Sequence, residues 1–120
     1  MTTLYHITTR DEWDAAKTVG VYRAPSLDAD GFIHLSATPD QVERVANAIY
    51  QDVAGVIVLV IDDAKLSAEV KFEPPDLSIP AEHYDGELFP HLYGALNVDA
   101  VSGTKALNKA ENGQYNFPIG

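Results

Sequence analysis

Histidine stands inside three short strand-like or aromatic phrases: Leu4-Tyr5-His6-Ile7-Thr8, Gly31-Phe32-Ile33-His34-Leu35-Ser36 and Phe89-Pro90-His91-Leu92-Tyr93-Gly94. Imidazole titrates near neutrality and donates or accepts hydrogen bonds with little rearrangement, so histidines brought together from distant segments mark a candidate site. Taken singly, a strand histidine is more often a satisfied core or surface side chain, and His83, in an acidic stretch, is read that way. Histidine on the polar side of two strands is harder to set aside, because burying either ring unpartnered costs about 1–3 kcal/mol. His6, His34 and His91 are therefore the candidate catalytic residues.

Other chemistries fit the spacing less well. Three imidazoles and a water can hold zinc, but no His-x-x-x-His pair or His-Glu-x-x-His helix occurs, and the ligands would converge across gaps of 28 and 57 residues (34 − 6 and 91 − 34). No metal is expected. Ser26 and Ser36 lie in no glycine-flanked elbow, and no Gly-x-Gly-x-x-Gly or phosphate-loop pattern is present.

Composition narrows the partners. With 120 residues, 46% apolar and 22% charged, the chain is long enough for one core. A formal net charge of −10 repels duplex or long single-stranded nucleic acid. A mononucleotide or dinucleotide stays compatible, since backbone N–H groups and one arginine can hold its phosphates. The absence of cysteine excludes disulfides and thiolate metal sites. With neither a signal-peptide pattern nor about 18 consecutive apolar residues, the expectation is a soluble, cytoplasmic monomer that contacts no membrane.

The positioning elements follow from periodicity. Thr3 to Thr8 alternates as a half-buried strand, with His6 on the face of Leu4 and Thr8. Thr9 and Glu12 form a capping box for a helix over about 10–18, with Trp13 and Ala16 inward and Gly20 as its stop. Val21 to Ala24 reads as extended before Pro25, and Asp28 to Gly31 as a turn. Residues 31–36 form a strand with Phe32, His34 and Ser36 on one side. Thr38-Pro39-Asp40-Gln41 opens a second helix, whose Val42, Val45, Ala46, Ile49 and Tyr50 repeat at helical spacing. The run Val56–Ile61 predicts a central strand covered on both faces, with Val70–Glu73 as its edge neighbour.

Residues 69–87, with Pro74, Pro75 and Pro80 among Glu69, Glu73, Asp76, Glu82, Asp85 and Glu87, read as a long solvated loop or a flap. Residues 98–107 return to strand character, and 108–120 read as a polar tail with little to bury. The expected architecture is α+β, a split, mixed β-sheet with two helices, in one domain over 1–107.

Tyr5-His6-Ile7-Thr8, Trp13 with Ala16, Tyr22-Arg23-Ala24-Pro25-Ser26-Leu27, Gly31-Phe32-Ile33-His34-Leu35-Ser36, Val45-Ala46-Asn47, Ile61-Asp62 and Phe89-Pro90-His91-Leu92-Tyr93-Gly94 together resemble the bacterial domain-of-unknown-function 952 family over about residues 3–107. That family resembles the ADP-ribosyltransferase superfamily, nearest the RNA 2′-phosphotransferase branch, in which NAD or an ADP-ribosylated intermediate sits in a split-sheet cleft. The superfamily's Leu-Tyr-His-Gly-Thr strand is similar to Leu4-Tyr5-His6-Ile7-Thr8, with Ile7 where glycine is common.

The resemblance implies that NAD is the cofactor, that His6 bonds a ribose hydroxyl and that His34 meets the nicotinamide side. It makes Arg23 a phosphate contact by its charge, and Thr8, Ser26, Ser36 and Tyr93 further cofactor contacts, with His91 lining the cleft. No late-strand glutamate follows Glu87, which argues against transfer to protein. The charge of −10 argues against an RNA substrate. The expected activity is binding of NAD or an ADP-ribosyl-type nucleotide with transfer or processing of ADP-ribose. The alternative is a non-catalytic small-ligand-binding or accessory module.

Overall fold

The computed structural model describes residues 2–74 and 87–117. In chain order the elements begin β1 (Thr3–Thr9), α1 (Arg10–Val19), β2 (Val21–Tyr22), α2 (Pro25–Asp30), β3 (Ile33–His34), α3 (Pro39–Ile49) and β4 (Val56–Asp62). They continue with β5 (Val70–Glu73), β6 (Phe89–Leu92), β7 (Leu96–Asn97), β8 (Val101–Ala106), β9 (Asn108–Lys109) and β10 (Tyr115–Asn116).

Strand β4, the most apolar run, lies between β1 and β8 with both neighbours antiparallel. Alternation sends its residues to two cores. Ile57, Leu59 and Ile61 join Leu4 of β1 against Trp13 and Ala16 of α1 and Ile33 of β3. Val58 joins Ile7 on the other face, under Val42 and Ala46 of α3. The strand is thus covered on both faces, as its unbroken apolar run predicts.

A second sheet, β3-β6-β5, meets the first through one bridge, in which Tyr5 N donates to Ser36 O at 2.8 Å and Ser36 N donates to Tyr5 O at 2.7 Å. The sheet is split, as expected from the sequence. Every strand pairing among the described residues is antiparallel, so the mixture is one of small sheets rather than of strand directions.

Both sequence-predicted helices are present, and their caps explain their ends. Thr9 Oγ1 accepts from Glu12 N at 3.2 Å, and Gly20 takes φ 102°, a left-handed conformation that a Cβ would strain. Thr38 Oγ1 accepts from Gln41 N at 3.1 Å, while Gln41 Oε1 reaches one residue past the expected capping-box partner, to Ala37 N at 2.8 Å.

Several expectations are corrected. Three helices occur among the described residues rather than two: the segment read as a turn at 28–31 ends the six-residue α2, with Pro25 in its first turn and Gly31 left-handed at its end. One and a half turns are too short to leave a hydrophobic period. Strand β5 is an edge strand, but its partner is β6, and the neighbours of β4 are β1 and β8. Residues 98–100 are a 3₁₀ turn, so β8 starts at Val101.

The segment beyond 107 was expected to have little to bury. Instead Tyr115 and Phe117 are buried against Ile7, Val42 and Val58, and Tyr115 N donates to Asn47 Oδ1 at 2.7 Å. Two aromatic residues among many polar ones suffice to dock the β9–β10 hairpin. His83 and most of the acidic loop lie outside the described residues.

Candidate functional site

The site begins where the sheet splits. Continuing the antiparallel ladder from Tyr5–Ser36 would set Ile7 opposite His34. The ladder stops there, and the His34 carbonyl accepts a hydrogen bond from Nδ1 of His6 at 2.7 Å. A carbonyl cannot donate, so Nδ1 carries the proton.

Beside this join opens a cleft of about 330 Å³, walled by β1 from His6 to Thr9, by Tyr22, by Ala24 to Ser26 at the start of α2, and by His34. Glu12, Tyr50 and Val53 complete the wall.

His6 is 6% exposed, and its Nε2 lies 3.0 Å from the Tyr22 hydroxyl, which in turn lies 2.8 Å from Thr8 Oγ1. The rings of His6 and Tyr22 meet edge to face at 5.2 Å. Burial pulls the His6 pKa down to about 4, against the raising effect of the His34 carbonyl, so the ring is neutral at pH 7. Burial likewise raises Tyr22, keeping its phenol protonated.

On the other side of His34, its cross-strand partner His91 is buried with Nδ1 2.9 Å from Glu73 Oε1. Phe32 stacks on His91 with centroids 4.1 Å apart and planes 14° apart, and the His34 ring meets His91 edge-on at 5.5 Å. Tyr93 donates its hydroxyl to the same Glu73 oxygen. That bond, then the one to His91, holds the Glu73 carboxyl below its ordinary range, and the carboxylate raises the Tyr93 phenol. Nε2 of His91 is buried without a hydrogen-bond partner.

The family described as "Protein of unknown function (DUF952)" matches residues 7–104, most of the chain. The chain belongs to the DUF952 family. The fold is similar to the crystal structure of protein CC0527 from Caulobacter crescentus, at 33% identity and TM-score 0.79 over 96% of this chain and 94% of that one. The solution NMR structure of CC0527 gives 31% identity and TM-score 0.66 over 95% and 91%. No curated protein matches.

In this DUF952 chain the three candidate histidines form a contiguous row, His6 to His34 to His91. His6, Thr8, Ser26 and His34 line the cleft; His91 and Tyr93 belong to the adjoining aromatic cluster instead. Ser36 is buried and contributes its backbone to the bridge with Tyr5 rather than a side chain to the cleft. Arg23 is exposed, pairs with Asp28 at 3.1 Å, and lines an adjoining depression of about 320 Å³ that shares Glu12 and Tyr22 with the cleft.

Sequence reading missed that Tyr22 and Glu12 line the candidate cleft and that Phe32 and Glu73 contact His91 beside it. Glu12 reads as a helix cap, and its place on the cleft wall depends on how α1 packs. For Tyr22 the adjoining Pro25 marked the local chain direction, but nothing local showed that its hydroxyl would meet His6. No group of three His, Asp or Glu side chains placed to hold a metal occurs among the described residues.

Proposed function

We propose that this DUF952 protein binds NAD or an ADP-ribosyl-type nucleotide, with the ribosyl end in the cleft between β1 and β3, and processes ADP-ribose there. The observation that carries the reading is the stitch of His6 to His34 at the point where the strands part, beside a cleft whose lining residues include His6, Thr8, Ser26 and His34. The cleft's volume lies at the small end of the range for small-molecule sites, about 300–1,000 Å³. That suits one ribosyl-base unit, and the diphosphate is assigned to the adjoining depression that carries Arg23.

When bound, NAD supplies a ribosyl carbon with nicotinamide as its leaving group. The chain's own contribution is positioning and electrostatics: Ser26 and His34 orient the ligand, and the Glu12 carboxylate favours positive charge developing at the ribose. The protein acts as a cytoplasmic monomer on a small nucleotide. No described helix is long and apolar enough to cross a membrane.

The test follows labelled imidazole signals during titration with NAD and ADP-ribose, with chromatography for released nicotinamide. Shifts at His34 and His6 with NAD, lost in a folded His6→Ala variant, support the reading; no response to either nucleotide defeats it. Saturation by ADP-ribose with no nicotinamide released from NAD favours the second reading, a non-catalytic binding or accessory module. One observation favours that alternative: both ring nitrogens of His6 are already occupied within the protein.

A further inference from the structure

The polar groups that line the cleft divide into those already engaged and those left open. His6, Tyr22 and Thr8 are buried and hydrogen-bonded in a chain, and His6 also donates to the His34 carbonyl, so all three are engaged within the protein. The His34 ring has its Nε2 3.2 Å from Asp30 Oδ2. Glu12 is different. It is exposed on the cleft wall, where Thr9 Oγ1 donates to its Oε1 at 3.2 Å, and its Oε2 has no hydrogen-bond partner among the described residues. Ala24, Pro25, Tyr50 and Val53 make much of the remaining wall carbon. No other carboxylate and no lysine or arginine lines the cleft among the described residues. Burial raises the Tyr50 phenol most and the Glu12 charge raises it further, so the field of this carboxylate is felt elsewhere on the cleft wall.

A lone carboxylate on a wall rich in carbon favours a ligand end that joins an apolar body to a positive charge, and it disfavours an anion. We infer that Glu12 is the specificity-determining residue of the cleft: its carboxylate selects a positively charged heteroaromatic ring, the oxidised nicotinamide end of the dinucleotide, over a neutral ring of the same shape. This rests on the nucleotide reading of the cleft and deepens it, by naming the end of the ligand that enters and the residue that chooses it. The adjoining depression shares Glu12 with the cleft and carries Arg23. A ligand with a cationic end and an anionic middle thus meets opposite charge in each hollow.

The experiment titrates the labelled full chain with the N-methylnicotinamide cation, neutral nicotinamide, oxidised NAD and NADH, following the amide signals of Thr9, Glu12 and Ser26. At low ionic strength and about pH 8, where an ordinary imidazole is neutral, the wild type is expected to bind the cation about fivefold more tightly than nicotinamide, the scale of a solvent-exposed ion pair. Oxidised NAD exceeds NADH by a similar factor. In Glu12→Gln, which keeps a capping-box side chain for α1, the preference falls below about twofold. If that variant does not fold, salt gives the same reading on the wild type, since about 1 M sodium chloride screens charge beyond about 3 Å and removes most of the preference. A wild type that binds cation and neutral ring alike, a preference that survives both Glu12→Gln and salt, or NADH bound as tightly as oxidised NAD would overturn the inference even if NAD binds. Preference for the cation without NAD binding would uphold the selection by Glu12 and overturn the nucleotide reading; no response to any probe would overturn both.

Discussion

His6 and His34 are joined ring to backbone: Nδ1 of His6 lies 2.7 Å from the carbonyl oxygen of His34. The bond stands where a strand ladder would otherwise continue, so the side chain that lines the cleft also holds its two walls together. Such double duty ties the stability of the fold to the protonation state of the site.

That tie has a definite pH signature. An unfolded histidine titrates near 6.5, whereas buried His6 titrates near 4, so acid favours the unfolded chain between those values. His6 thus contributes full stability above pH 6.5, loses it as pH falls through 6.5 toward 4, and loses nothing further below. Between pH 7 and 5 the loss should be about 2 kcal/mol. Urea unfolding at the two pH values measures it. A His6→Gln variant, itself less stable at pH 7, should show a clearly smaller drop than the wild type; equal drops in both proteins would refute the assignment.

Glu73 and Tyr93 offer a spectroscopic check on the second cluster. The carboxylate that accepts the Tyr93 proton opposes ionisation of the phenol, which raises its pKa. In Glu73→Gln the Tyr93 ionisation should return toward its ordinary value. Absorbance titration at alkaline pH, with Tyr93→Phe identifying the signal, reads the change; an unmoved titration would show that the pair does not form.

Phe117 tests the docked hairpin. It is 2% exposed and meets Tyr5 edge-on at 5.5 Å. Phe117→Ala should cost roughly 3 kcal/mol, as expected for truncating a buried aromatic side chain. A change below about 0.5 kcal/mol in chemical unfolding, the usual scale for an exposed site, would mean that the segment is not packed.

Residue 87 is tied to α3. Arg44 and Gln41 both donate to the Glu87 carboxylate, and the Arg44 bond holds that carboxyl below its ordinary range. Glu87→Ala should cost about 1 kcal/mol, given partial exposure of both partners, and should raise amide exchange at Leu88 and Phe89. Unchanged exchange there would place the anchor elsewhere.

Much of the frame was legible because it is written in local chemistry. Thr9 with Glu12 and Thr38 with Pro39 announced two helix starts, Gly20 one stop, and the run from Val56 to Ile61 the doubly covered strand. The six residues of α2 left no period to read, and Tyr115 and Phe117 looked like isolated aromatics in a polar tail until α3 and β4 supplied their pocket.

The sequence by itself determined which face of β1 bears His6 beside Thr8, because strand alternation is a local property. Tertiary structure alone decided that His6 bonds the His34 backbone, that Tyr22 and Glu12 reach the cleft and that His91 and Tyr93 lie in a neighbouring cluster. Those are contacts between distant segments, set by where the ladder between β1 and β3 breaks, and residue spacing carries no record of that break.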